Sequence, residues 1–139
     1  MFALFTILAC ASENPPATSA PASAEAPKTQ TEAGKRTDTD IAGLEKAIAA
    51  KALIIDVRTD PEWAKGHVPG AVHAPLSEIT GDHAVLKGHD KATPVYLICE
   101  AGGRSGQAAD LLAKAGYHTV NVQGGTGAWR NAGKPLETP

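Results

Sequence analysis

From about residue 40 onward, short apolar runs in this chain alternate with amphipathic stretches. Ala52-Leu53-Ile54-Ile55 and Val95-Tyr96-Leu97-Ile98 are continuous apolar runs, the pattern of strands buried on both faces. Ala71-Val72-His73-Ala74, stopped by Pro75, and His118-Thr119-Val120-Asn121-Val122 read as two further strands. Between these lie the helices. Asp38 or Asp40 can cap one with Ile41, Leu44 and Ile48 on a single face. Asp60-Pro61-Glu62-Trp63 opens a second, with Asp60 as the expected cap and proline where a missing N–H costs nothing. Leu76 to Leu86 is weakly helical and interrupted at Gly81. A third helix carries Ala108, Leu111, Leu112 and Ala115 at i, i+3, i+4 and i+7 and can end at Gly116. Gly124-Gly125 opens a last short one containing Trp129. Strands alternating with helices predict an α/β fold, a parallel sheet covered on both faces, whose ligands bind at the carboxyl ends of the strands. There is no internal repeat.

The first 37 residues follow a different pattern. Phe2 to Ala9 is apolar apart from Thr6, too short to span a bilayer but suited to the apolar core of a signal peptide. Ile7-Leu8-Ala9-Cys10 resembles a bacterial lipobox, which implies lipidation of Cys10, although no Lys or Arg precedes the run. Ala11 to Thr37 is rich in Ala, Pro, Ser, Thr and Glu, without apolar periodicity, and is expected to be a disordered tether reaching roughly 30 Å. The expected division is therefore a signal peptide over 1–9, lipidation cysteine and tether over 10–37, and a globular domain over 38–139. A periplasmic or cell-envelope location follows, with membrane contact only through the lipid; a cytoplasmic protein with an unprocessed tail is the alternative.

Composition narrows the function. A chain of 139 residues with formal charge −2 and no basic run offers no electrostatic case for nucleic acid. Its two cysteines, Cys10 and Cys99, form no Cys-x-x-Cys pair, and the five histidines lack metal-ligand spacing, so no metal or other cofactor is expected.

The candidate chemistry sits in Cys99-Glu100-Ala101-Gly102-Gly103-Arg104-Ser105, between a strand and a helix N-terminus. Gly102 and Gly103 can adopt backbone angles that let successive N–H groups converge on one point. Those amides, the helix dipole and Arg104 all favour negative charge, so Cys99 should ionise more readily than a free thiol. This loop resembles the active loop of the rhodanese family, Cys-x-x-x-x-Arg/Lys followed by Ser or Thr. Asp56-Val57-Arg58, then Glu62-Trp63-x-x-Gly66-His67-Val68-Pro69-Gly70-Ala71, and finally Asn121-Val122-x-Gly124-Gly125-x-x-Ala128-Trp129 match the family's other blocks in order.

The resemblance, covering about residues 38 to 135, implies a rhodanese-like sheet of five parallel strands, the first near residues 36 to 40. It also implies sulfane-sulfur transfer from thiosulfate or a related small donor, through a Cys99 persulfide, to a thiol or cyanide, by a monomer. The N–H groups from Glu100 through Ala101, Gly102, Gly103 and Arg104 to Ser105 would hold the persulfide. Arg104 would anchor the donor's sulfonate. Ser105 is expected to cap the helix rather than donate to sulfur. Glu100 is expected to turn outward or pair with Arg104, since a carboxylate facing the sulfur would raise its pKa and repel a dianion; the alternative is that the preferred donor is a less charged persulfide. Asp56 and Arg58 are expected to tie loops together rather than act as acid and base, and His67 to bond backbone rather than serve as a general base for Cys99. Two rivals stand beside this reading. One is a cysteine-dependent phosphatase, which would place its arginine one residue later, at Ser105. The other is a persulfide carrier or binding module that does not turn over.

Overall fold

The computed structural model describes residues 34–139; the expected signal peptide, Cys10 and nearly all of the tether lie outside them. The elements run β1 (Arg36–Thr39), α1 (Ile41–Ala49), β2 (Leu53–Asp56), α2 (Asp60–Ala64), β3 (Ala71–His73), β4 (Val95–Ile98), α3 (Gly103–Lys114), β5 (Thr119–Val122) and α4 (Gly125–Asn131). The five strands form one parallel sheet in the order β1-β5-β4-β2-β3. Arg36 and Thr37 belong to β1, so the folded region begins before the expected boundary at residue 38. β1 has no apolar signature because it is an edge strand paired only with β5.

Alternation along the strands divides the core between the two faces. Ile55, Val95 and Leu97 pack with Ala108, Ala109 and Leu112 of α3. Ile54, Ile98 and Val122 pack with Leu44 and Ala47 of α1 and Trp129 of α4. β4 is central, so the residue after Ile98 emerges between both helical layers.

Local chemistry accounts for where the elements start and where the expectations needed correction. Asp40, not Asp38, caps α1, accepting from Gly43 N at 2.9 Å. The cap of α2 is Thr59, one residue before the expected Asp60: Thr59 and Glu62 form a capping box that satisfies two N–H groups reciprocally, which Asp60 cannot do. Leu111 is 48% exposed, because the inward stripe of α3 is Ser105, Ala108, Ala109 and Leu112. Leu76 to Leu86 forms no α-helix. It is a run of turns ending in one 3-10 turn (Ala84–Leu86), anchored by buried Ile79 and Leu86 and by the Tyr117 hydroxyl donating to Gly81 O at 3.2 Å.

Candidate active site

Cys99 follows the last residue of β4, and α3 begins four residues later. The loop between them is shaped from outside, by the start of α4. Thr126 N donates to Cys99 O at 2.8 Å, Gly127 N to Glu100 O at 2.9 Å and Gly124 N to Ala101 O at 3.2 Å. A planar trans peptide points its N–H opposite its C=O. Drawing three consecutive carbonyls toward α4 therefore turns the N–H groups of Glu100, Ala101 and Gly102 the other way. Gly102 N indeed reaches the Cys99 Sγ at 3.1 Å. This arrangement needs close backbone contact: a Cβ on Gly125 would lie 2.1 Å from Cys99 O. Gly102 takes φ 105°, a left-handed angle that lets the loop turn into α3. Gly103, expected to share that role, has no positive φ and is simply the first residue of the helix.

The sulfur is enclosed, with Cys99 1% exposed. Burial pushes its thiol pKa up; the Ser105 hydroxyl and the N–H groups of Ser105, Gly102 and Ala101 push it down and win, leaving the thiol below its ordinary value. Ser105 is not a helix cap, since Gly102 occupies that position. Its Oγ instead stands 2.6 Å from Asn121 Oδ1, 3.2 Å from Gly102 O and 3.4 Å from the sulfur.

The charged residues around the loop pair differently from the expectation. Arg104 points both terminal nitrogens at Glu62, at 2.7 and 2.6 Å, and so binds α2 rather than standing free for a sulfonate. Arg104, with help from Thr59, holds the Glu62 carboxyl well below the usual carboxylate range despite partial burial. Glu100 does not meet Arg104. It turns outward to Arg130, with Arg58 Nη1 3.7 Å away, because the α4 amides that hold its carbonyl bring Arg130 alongside. The fully buried Asp56 carboxylate accepts from Arg58 Nε at 2.9 Å and Nη2 at 2.7 Å, and Nη2 also reaches Gly66 O at 2.8 Å. His67 stacks on Trp63, ring centroids 3.5 Å apart, and bonds backbone to Glu137. Beside the loop, a cleft of about 380 Å³ is lined by Arg58, Glu62, Lys65, Glu100 and Arg130.

Residues 40–132 match the rhodanese-like domain. The chain belongs to the rhodanese family. This rhodanese is 38% identical over 96 residues to the putative sulfurtransferase YtwF of Bacillus subtilis, covering 68% of this chain and 90% of that protein. It is 38% identical over 71 residues to the thiosulfate sulfurtransferase PspE of Escherichia coli, covering 51% and 67% respectively. Among solved structures, SSP1007 from Staphylococcus saprophyticus superposes with a TM-score of 0.61 at 36% identity, covering 73% of this chain and 98% of that one. Sulfur transfer is therefore the family-level activity of this rhodanese. Three contributors to its site escaped sequence reasoning: Glu62, Asn121 and the Gly124–Gly127 turn. The turn's glycines were visible, but only the packing of α4 on the cysteine loop shows what they do.

Proposed function

We propose that Cys99 is the sulfur-carrying nucleophile of a thiosulfate-type sulfurtransferase. The Cys99 thiolate attacks the outer sulfur of thiosulfate; the new S–S bond forms as the donor's S–S bond breaks, and sulfite leaves with the bonding pair. Charge balances, since a thiolate and a dianion become a persulfide anion and a dianion. Cyanide or a thiol then attacks the terminal persulfide sulfur and returns the thiolate, so covalent catalysis divides one transfer into two. The observation that carries this reading is the convergence of Gly102 N–H and the Ser105 hydroxyl on a sulfur already held below the ordinary thiol pKa. Once the thiol has ionised, such donors can follow charge from thiolate to persulfide without further reorganisation.

The pairing around the site bears on the donor. Arg104 with Glu62, Arg58 with Asp56 and Arg130 with Glu100 leave little net positive charge at the rim. A dianion must therefore compete with Glu62 for Arg104, so a donor of lower charge, such as a persulfide, is favoured over thiosulfate. The phosphatase reading places Ser105 where an arginine would cradle phosphate, and Ser105 is committed to Asn121 and the sulfur. Repeated thiocyanate formation from thiosulfate and cyanide, lost in Cys99→Ala, supports the enzyme. A single stoichiometric release identifies a carrier instead. For the N-terminal segment the proposal is lipid attachment at Cys10 in the cell envelope, tested by palmitate incorporation that Cys10→Ala abolishes.

A further inference from the structure

Ser105 has one hydroxyl proton and three acceptors within reach, and the shortest contact is not to the sulfur but to Asn121 Oδ1, at 2.6 Å. The orientation of that amide follows from its other end. Asp38 Oδ1 lies 2.9 Å from Asn121 Nδ2 and 3.3 Å from Arg36 Nη2, and an ionised carboxylate only accepts. Nδ2 must therefore face Asp38, leaving Oδ1 to face Ser105. Ser105 is fully buried and Asn121 is 4% exposed, so water does not easily replace the contact between them.

We infer that Asn121, aimed by Asp38, is a positioning residue for Cys99: it draws the Ser105 proton away from the neutral thiol and releases it to the sulfur once the sulfur is anionic. In the resting state the Ser105 hydroxyl donates to Asn121, and its lone pair faces the S–H. When the thiol proton leaves to solvent, the hydroxyl rotates and donates to the thiolate, and Asn121 Oδ1 loses its donor. No proton passes through Ser105. Asn121 thus competes with the thiolate for one hydrogen bond and keeps the thiol less acidic than the loop alone would make it. The charged groups around the loop are Glu100, Arg104 of α3, Asp56 at the end of β2 and Arg58 just after it, Glu62 of α2, Lys65 just after α2 and Arg130 of α4, and behind Asn121 stand Arg36 and Asp38 of β1 and Asp110 of α3. Arg36 also contacts Asp110, at 2.7 Å, through its other terminal nitrogen.

The inference rests on Cys99 being the reacting thiol, but its test needs no sulfur donor. The rate of iodoacetamide alkylation of the Cys99 peptide is followed by mass spectrometry against pH in the full chain, with folding of each variant checked by circular dichroism. Ser105→Ala should raise the midpoint, because the thiolate loses a donor. Asn121→Leu, close in shape but unable to accept, should lower it by up to about one pH unit, the scale of the neutral Ser105–Asn121 hydrogen bond that ionisation otherwise breaks. Asp38→Ala should lower it too, since the Asn121 amide can then flip and offer Nδ2 to Ser105. Asp38→Asn keeps an acceptor at that point and should leave the midpoint in place. A midpoint that stays or rises in Asn121→Leu or Asp38→Ala overturns the inference, as does a fall in Asp38→Asn equal to that in Asp38→Ala, which would make the effect one of charge. If Asn121→Leu does not fold, the two Asp38 variants decide alone.

Discussion

Replacing Gly125 by alanine tests whether the start of α4 shapes the cysteine loop. The added Cβ would lie 2.1 Å from Cys99 O and 2.8 Å from both Glu100 C and Glu100 O, all backbone atoms that no side-chain rotation can relieve. Its φ of 54° adds the cost of a left-handed angle, about 1 to 2 kcal/mol for a residue with a Cβ. Moving α4 away would also weaken the Thr126 and Gly127 hydrogen bonds to the loop carbonyls, at about 1 kcal/mol each. The expected loss is about 3 to 4 kcal/mol, a large part of a small domain's stability. Gly103→Ala is the matched control, because a Cβ there meets nothing within 4 Å and alanine favours the helix it begins. Urea unfolding should show a much lower midpoint for Gly125→Ala and none of that loss for Gly103→Ala. In Gly125→Ala below its unfolding transition, the Cys99 alkylation midpoint should also rise, since the carbonyls no longer hold the N–H groups on the sulfur. If Gly125→Ala matches the parent protein in both stability and alkylation, α4 does not organise the loop.

Four other substitutions probe the charge pairing, the buried ion pair and the packing of α3. Glu62→Gln keeps an acceptor for Thr59 but frees Arg104, so kcat/KM for dianionic thiosulfate should rise several-fold relative to monoanionic benzenethiosulfonate; an unchanged ratio refutes the charge argument. Because the Glu62 carboxyl is depressed in the folded state, its stabilisation is present above the ordinary glutamate pKa of about 4.3 and is lost as pH falls toward its folded value. The stability gap between Glu62→Gln and the parent should therefore be about 1 kcal/mol or less at neutral pH, given partial exposure, and should shrink below about pH 4. Arg58→Ala strands the buried Asp56 carboxylate and should cost about 3 to 5 kcal/mol in denaturant titration, whereas a loss below 1 kcal/mol would mean that water already reaches the pair. Leu112→Ala should cost about 2 to 5 kcal/mol while Leu111→Ser stays within about 0.5 kcal/mol, and equal losses would contradict the burial of α3.

Most of the architecture was legible because its strands are apolar runs and its turns are marked by glycine and proline. Ile54, Ile55, Leu97 and Ile98 are buried where the pattern places them. The polar strand Arg36–Thr39 gave no such signal: it lies at the sheet edge, and only the family resemblance located it. Leu111 fitted a helical period as well as Ala109 does, and only packing on the sheet shows which stripe faces inward. The position of Cys99 between strand and helix was legible, but the charge pairing around it was less so. Arg104 finds Glu62 42 residues away, and Asn121 meets Asp38 83 residues away. Such contacts are set by strand order and crossovers, to which local periodicity is blind.

The central claim is that the Cys99 sulfur, gripped by the loop's donors, accepts and holds a second sulfur atom. Its most direct test is peptide mass spectrometry of the protein after brief treatment with thiosulfate. A gain of one sulfur atom is expected on the peptide carrying Cys99, removed by cyanide as thiocyanate. A Cys99 peptide of unchanged mass, under conditions where iodoacetamide still reaches that sulfur, would contradict it.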